Sequence, residues 1–250
     1  MISVCMATYN GERFIKEQID SILPQLSQDD ELIVSDDEST DRTLEIIASY
    51  KDERIKVFHH KKNPEYAKIK HSRNFYYATS NFENALKQSK GDYIFLSDQD
   101  DIWKSDKKEK MLKTLVDLKA DCVMCNFSVI DENRNITTEK FYENSPISKS
   151  LVVNILKSKF LGCCMAFSKN LLQKTLPFPV KLIAHDYWIG CLSANFIFLN
   201  EPLHLYRRYE SNVSTSSEKS KNSLLTKILF RFKFANQLYK RLNEKKVSFL

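Results

Sequence analysis

The sequence predicts an α/β fold: a mostly parallel central sheet flanked by helices, followed by a C-terminal helical extension. Strand-like and helix-like segments alternate over residues 2–130, the pattern of a sheet covered by helices on both faces. Glycine and proline are scarce, 4 and 6 among 250 residues, which disfavours a turn-rich all-β chain. With 42% hydrophobic and 28% charged residues the chain can bury a core and is not globally disordered.

Residues 2–8 are a short apolar run and read as a buried strand. Residues 12–26 place Phe14, Ile15, Ile19, Ile22, Leu23 and Leu26 at helical spacing, with Pro24 near the end. A second strand is expected over 31–35, a second helix over 40–50 with Leu44, Ile47 and Ala48 on one face, and a third strand over 55–60. Residues 61–80 are polar and basic without clear period and read as a loop. Residues 81–90 read as a helix stopped by Gly91, and 92–97 as a fourth strand. Met111, Leu112, Leu115 and Leu118 share one face of a helix over 106–118, and a strand follows over 122–130. The pattern is weak over 141–159. Residues 160–168 read as a strand, 186–195 as a short buried helix, and 197–199 with 203–208 as two short strands.

The six cysteines lie mostly in apolar runs, and the chain opens without a basic segment leading into a long apolar stretch; buried, reduced thiols in a cytoplasmic protein are the expectation. Cys122 and Cys125 form a C-x-x-C, but inside an apparent strand and with no second pair, so a zinc or redox role is disfavoured. No apolar run approaches the roughly 18–20 residues that span a bilayer, so the protein is expected in solution or on a membrane surface. The net charge of +6 resides in the tail: residues 219–250 hold nine Lys/Arg and one Glu, leaving the remainder at −2. A nucleic-acid-binding core is not implied. In that tail Leu225, Ile228, Leu229, Phe232, Ala235, Leu238, Tyr239 and Leu242 recur at helical spacing among basic residues. A basic amphipathic helix of this kind suits a membrane interface, the domain surface or a homodimer contact.

In a parallel sheet, ligands sit beyond the carboxyl ends of the strands. Residues 7–11, 36–41 and 98–101 occupy those places. No glycine-rich dinucleotide fingerprint and no P-loop stands there; acids do. IFLSDQDDIW (residues 94–103) sets Asp98, Asp100 and Asp101 directly after a buried strand. Crowded carboxylates cost Coulomb energy unless a cation offsets it, and hard divalent ions take such oxygen ligands together with substrate phosphates. The alternative is a solvated turn that caps the next helix. Asp36 and Asp37 end the second strand and can accept hydrogen bonds from a base or ribose, while Asp41, Ser39 or Thr40 can equally cap a helix. Asp186, in HDYW, is either a general base or an N-cap, and Arg207, in YRRYESN, either a diphosphate partner or a solvated strand end.

Taken in order, SVCMATYNG, VSDDESTDRT, GDYIFLSDQDDIW and HDYW resemble the inverting family 2 glycosyltransferases of the glycosyltransferase A fold, most of all their rhamnosyltransferase-like subgroup, over residues 2–213. The resemblance implies a catalytic domain over 1–213, with a Rossmann-like nucleotide-sugar half (1–101) and an acceptor half (102–213), and a basic tail over 214–250. It implies that Thr8, Tyr9, Asn10 and Glu12 line the nucleotide pocket. Asp37 would contact the base with Asp36 beside it, and Asp98 the ribose or sugar. Asp100 would bind Mn²⁺ or Mg²⁺, Asp186 would deprotonate the acceptor, and Arg207 would lie near the diphosphate. The implied partners are a dTDP- or UDP-sugar donor and a glycan or lipid-linked acceptor; a membrane surface met through 219–250 is suggested by the tail's own pattern and would suit such an acceptor. In one place the chain departs from the pattern: Tyr209 stands where the subgroup often has a His. A sugar nucleotidyltransferase is a second reading, weakened by the absence of a basic, glycine-rich loop after the first strand. An inactive scaffold of the same fold is a third.

Overall fold

The computed structural model describes residues 1–69, 72–148, 150–157, 159–209 and 224–247. Among them, β1 (Ile2–Thr8), β2 (Glu31–Asp36), β3 (Ile55–His59) and β4 (Tyr93–Ser97) form a parallel half-sheet in the order β3-β2-β1-β4. Their near-continuous apolar sequences follow from burial on both faces. α1 (Ile15–Ile22) and α2 (Thr43–Ser49) connect the first three strands, and α3 (Arg73–Gln88) leads into β4.

The sheet continues through β8 (Met165–Ser168), antiparallel to β4, then β6 (Cys122–Ile130), β9 (Phe196–Arg207) and β5 (Ile102–Trp103), with β7 (Ile136–Thr138) beside β6. β6 pairs antiparallel with β8 and parallel with β9, so six of the nine strands run in one direction. α4 (Lys107–Asp117), α5 (Leu151–Leu156), α6 (Lys169–Thr175) and α7 (His185–Leu192) complete the domain, and α8 (Leu224–Val247) lies against it. The expected fold class is observed. All six cysteines are free and buried.

Several expected boundaries moved. The segment read as a loop over 61–80 contains the first two turns of α3, which begins at Arg73; Phe75, Tyr76 and Tyr77 line a cavity rather than the core, so no apolar stripe marks that start. α1 begins at Ile15 because residues 11–14 form a turn closed by Phe14 N–H donating to the Gly11 carbonyl at 3.1 Å. The two short strands expected near the end are one strand, β9, whose register against β6 shifts around Asn126. Only the second part of 160–168 is strand; Gly162–Cys164 is a tight helical turn. Residues 210–212 of YRRYESN, and 214–223 and 248–250 of the tail, lie outside the described residues.

Gly91 sets the spacing of β1 and β4. A Cβ there would fall 2.6 Å from the Ser3 nitrogen and 2.7 Å from the Ile2 carbonyl carbon, so a larger residue must push main chain apart. Gly91→Ala is expected to destabilise the domain by about 1–3 kcal/mol, the usual cost of overpacking, read as a lower denaturant midpoint with an unchanged slope.

Candidate active site

The parallel register brings three strand ends level: Thr8 pairs with Asp36, and Met6 with Ser97. Beyond them opens a cavity of about 1600 Å³, closed on the far side by α3, the Gly162 turn, the start of α7 and part of α8. Thr8, Tyr9, Asn10, Asp37, Asp98, Asp100 and Asp186 all line it, so the structure brings most of the sequence-predicted residues together.

On the nucleotide side, Asp37 is buried and its Oδ1 lies 2.8 Å from His60 Nδ1, with Lys62 Nζ 4.0 Å from Oδ2. The Ser80 hydroxyl meets the other ring nitrogen of His60 at 3.0 Å. Lys62 also sits 3.2 Å above the exposed Tyr9 ring. The Tyr9 main chain is clamped by Gln99, whose side chain accepts from its N–H at 2.8 Å and donates to its carbonyl at 3.0 Å. Asn10, at a positive φ of 47°, accepts from Thr40 N–H, and Asn81 donates to the Thr8 carbonyl. His60, Lys62, Asn81 and Gln99 were not assigned to the site by sequence reasoning; their partners, Asp37, Tyr9 and the Thr8 and Tyr9 carbonyls, lie on other segments of the chain.

Three expected donor contacts do not line the cavity. Asp36 is fully buried and accepts from Thr8 Oγ1, Ser39 N–H and Ser39 Oγ, so it fixes the loop after β2. Glu12 accepts from Arg42 N–H at the start of α2. Arg207 is buried beneath the acidic loop: it donates to the carbonyls of Asp100 and Glu132 and to the Glu17 carboxylate, and lies 4.4 Å over Phe14.

The acidic loop sorts its carboxylates by environment. Asp101 is buried and engaged on both oxygens: Oδ2 accepts from His204 Nε2–H at 2.9 Å and Oδ1 from Arg207 N–H at 2.8 Å. Buried Lys107 donates to His204 Nδ1 at 3.1 Å and to the Cys163 carbonyl at 2.6 Å, which fixes the ring tautomer. Burial, then the Lys107 charge, pushes His204 down to about 4, so the ring is neutral. Asp98 and Asp100 lack such compensation. Burial, then the charges of Asp101, Asp100 and Asp186, holds Asp98 well above the carboxylate range. Burial and the Asp101 charge raise Asp100 to about 7, against hydrogen bonding from Tyr209, whose hydroxyl donates to Oδ2 at 2.5 Å.

Opposite, Asp186 sits in the first turn of α7 and accepts from Tyr187 N–H at 2.8 Å. His185 stacks on Phe82 at 4.1 Å, its Nε2 buried without a partner among the described residues. Gly162 gives this pair room: a Cβ there would lie 3.1 Å from His185 Nε2 and 3.4 Å from the Asp186 Cβ.

The donor set fits a hard divalent ion. Asp98, Asp101 and Cys163 place ligand atoms within 4.8 Å of one another, but both Asp101 oxygens already accept hydrogen bonds and burial keeps the Cys163 thiol protonated. The oxygens left for a cation are those of Asp98 and Asp100, whose carboxylate forms are disfavoured first by burial and then by the neighbouring acids, a cost that a cation would offset. A second cluster, Cys163, Cys164 and His204, does not fit, because both His204 nitrogens are engaged and the Lys107 ammonium adjoins it.

A sequence model described as "Glycosyl transferase family 2" matches residues 3–176. The chain is 30% identical over 224 residues to the Escherichia coli UDP-Glc:alpha-D-GlcNAc-diphosphoundecaprenol beta-1,3-glucosyltransferase WfgD, covering 88% of this chain and 81% of that protein. It is 29% identical over 223 residues to the Shigella flexneri dTDP-rhamnosyl transferase RfbG, covering 83% and 72%. Among solved structures it superposes on S. aureus TarS 1–349 in complex with UDP-GlcNAc, with a TM-score of 0.65 and 20% identity over 96% of this chain and 72% of that one.

The native fold binds a proton at Asp100 up to about pH 7, whereas an ordinary aspartate releases it near 3.8. The folded state therefore holds more protons between those values, and stability falls as the pH rises through that window. Asp100→Asn is expected to raise the melting temperature of the metal-free protein by about 2–4 °C at pH 8 and by less at pH 5. Equal melting of the two proteins at both pH values would contradict this assignment of strain.

Proposed function

The chain belongs to glycosyl transferase family 2 and has the glycosyltransferase A fold, and from that premise we propose that it moves a hexose from a dTDP- or UDP-sugar to a hydroxyl of a glycan or lipid-linked acceptor, with inversion, in cell-surface polysaccharide synthesis. One observation carries the reading: Asp98, Asp100 and Asp186 face a single cavity whose other wall offers Asp37, Tyr9 and Lys62. The pyrimidine nucleotides in the names of the two relatives support the same donor class. Rhamnose, glucose and other hexoses remain the sugars to be screened.

In this reading the base meets Asp37, held by His60, and the Tyr9 ring forms an edge of its slot. Asp98 accepts from a ribose or sugar hydroxyl. Asp100, with Asp98 beside it, would hold Mn²⁺ or Mg²⁺, which when bound supplies positive charge to the leaving diphosphate. Tyr209 steers the Asp100 carboxylate, and Arg207 braces the loop through the Asp100 carbonyl. Asp186 accepts the acceptor's hydroxyl proton as that oxygen bonds to the anomeric carbon. The bond from that carbon to the diphosphate breaks, and its electron pair leaves with the diphosphate. Attack from the side opposite the leaving group inverts the centre without a covalent enzyme intermediate.

Asp100→Ala is expected to abolish nucleoside-diphosphate release and to remove the response of nucleotide binding to Mn²⁺, read by calorimetry. Asp186→Asn is expected to lower kcat by about 10²–10⁴-fold, the scale of general-base help, while leaving donor affinity unchanged. Turnover by Asp186→Asn at the wild-type rate would remove the base from this scheme.

A further inference from the structure

We infer that α5, the segment 176–184 and α8 form one docking face for an anionic lipid bilayer at the rim of the cavity. Among the described side chains, α8 buries one side against the domain. Phe234 and Leu238 are buried there, Tyr187 stacks on Phe234 at 3.9 Å, and the Arg241 guanidinium donates to the carbonyls of residues 174–177. A second apolar stripe stays outward: Ile228, Phe232 (74% exposed), Tyr239 (69%) and Leu242, all within one arc at helical spacing. Packing on the domain gives no reason for that stripe, because it is not the side that packs.

The neighbouring elements extend it. α5 adds Val152 (64% exposed), Val153 and Leu156, and the segment before α7 adds Val180 (83%). These are contiguous with α8. Tyr187 joins them, its hydroxyl donating to the Ile155 carbonyl of α5 while its ring packs on α8. Gln237 and Lys233 donate from α8 to the carbonyls of Val180 and Lys181 at 3.2 and 3.3 Å. Exposed apolar area of this extent marks an interaction site.

Charge selects the occupant. Residues 151–159 and 176–184 contain no Asp or Glu, and α8 carries seven Lys/Arg against Glu244 alone. Lys157, Lys159, Lys181, Lys233 and Lys240, on or beside the same three segments, are exposed. Apolar side chains among many cations, with Glu244 the one acid on these three segments, suit the boundary of acyl chains and anionic headgroups. A second copy of the chain would instead bring like charges together. Leu156 and Leu229 belong both to this face and to the cavity wall, so docking turns the cavity mouth toward the lipid. Only the consequence, direct entry of a lipid-linked acceptor, rests on the transferase reading above.

The test is flotation of the full chain with vesicles of phosphatidylcholine alone and with about one quarter phosphatidylglycerol. The wild type is expected to float with the anionic vesicles only, less so at high salt. The pairs Val152→Glu with Phe232→Glu, and Lys181→Glu with Lys240→Glu, replace no residue that lines the cavity. Each is expected to lower partitioning by about tenfold or more, with unchanged melting and unchanged donor hydrolysis in solution. Wild-type protein left unfloated by anionic vesicles, or variants that float like it, would overturn the docking. A change of sedimenting mass in the variants, without any vesicle binding by the wild type, would assign the face to a second copy. Intact flotation without hydrolysis would sink the transferase reading alone; intact hydrolysis without flotation would sink the docking alone.

Discussion

The crowding of carboxylates at the end of β4 is the constraint around which the rest of the site is arranged. Three aspartates in four residues repel one another in a partly water-excluded pocket, where a fourth, Asp186, adds its field from α7. The chain resolves this charge unevenly. Asp101 is drawn inward to the His204 ring and the Arg207 N–H, with Lys107 behind the ring. Asp98 and Asp100 are left facing the cavity with raised pKa values. A fold that neutralised all three would be more stable and would present nothing to a cation.

That division depends on positioning groups that never reach the cavity. Arg207 hydrogen-bonds to the Asp100 carbonyl, its charge acts on the carboxylate through space, and that carboxylate takes its hydrogen bond from Tyr209 at Oδ2. Asp36 and Glu12 do comparable work on the nucleotide side, fixing the loops after β2 and before α2 by accepting main-chain N–H groups. Acids at strand ends thus serve two purposes here. Some shape the loops, and those left over face the ligand space.

Tyr187 links the chemistry to the periphery. It follows Asp186 in sequence, packs on α8 and hydrogen-bonds to α5. The residue proposed as the base is therefore anchored to the two helices that carry the exposed apolar and basic face. An acceptor delivered along that face would enter the cavity that Asp186 also lines.

The sequence alone determined the alternation of strands and helices, because a buried parallel strand and an amphipathic helix each leave a local signature of period. It also located Asp37, Asp98, Asp100 and Asp186 by their places after strands or before a helix, and Tyr209 by its departure from a familiar pattern. Local order could not say which acids would be consumed. Asp36 and Asp37 are adjacent, yet one closes a loop and the other faces the cavity, because successive residues at a strand end point to opposite sides. Nor could it find Lys62, His60, Gln99 or Asn81, whose partners lie on other segments of the chain. The start of α3 was hidden because its aromatics face open space, and the outward stripe of α8 could not be told from its packed side. Those distinctions are set by contacts between distant segments, and only the tertiary structure decided them.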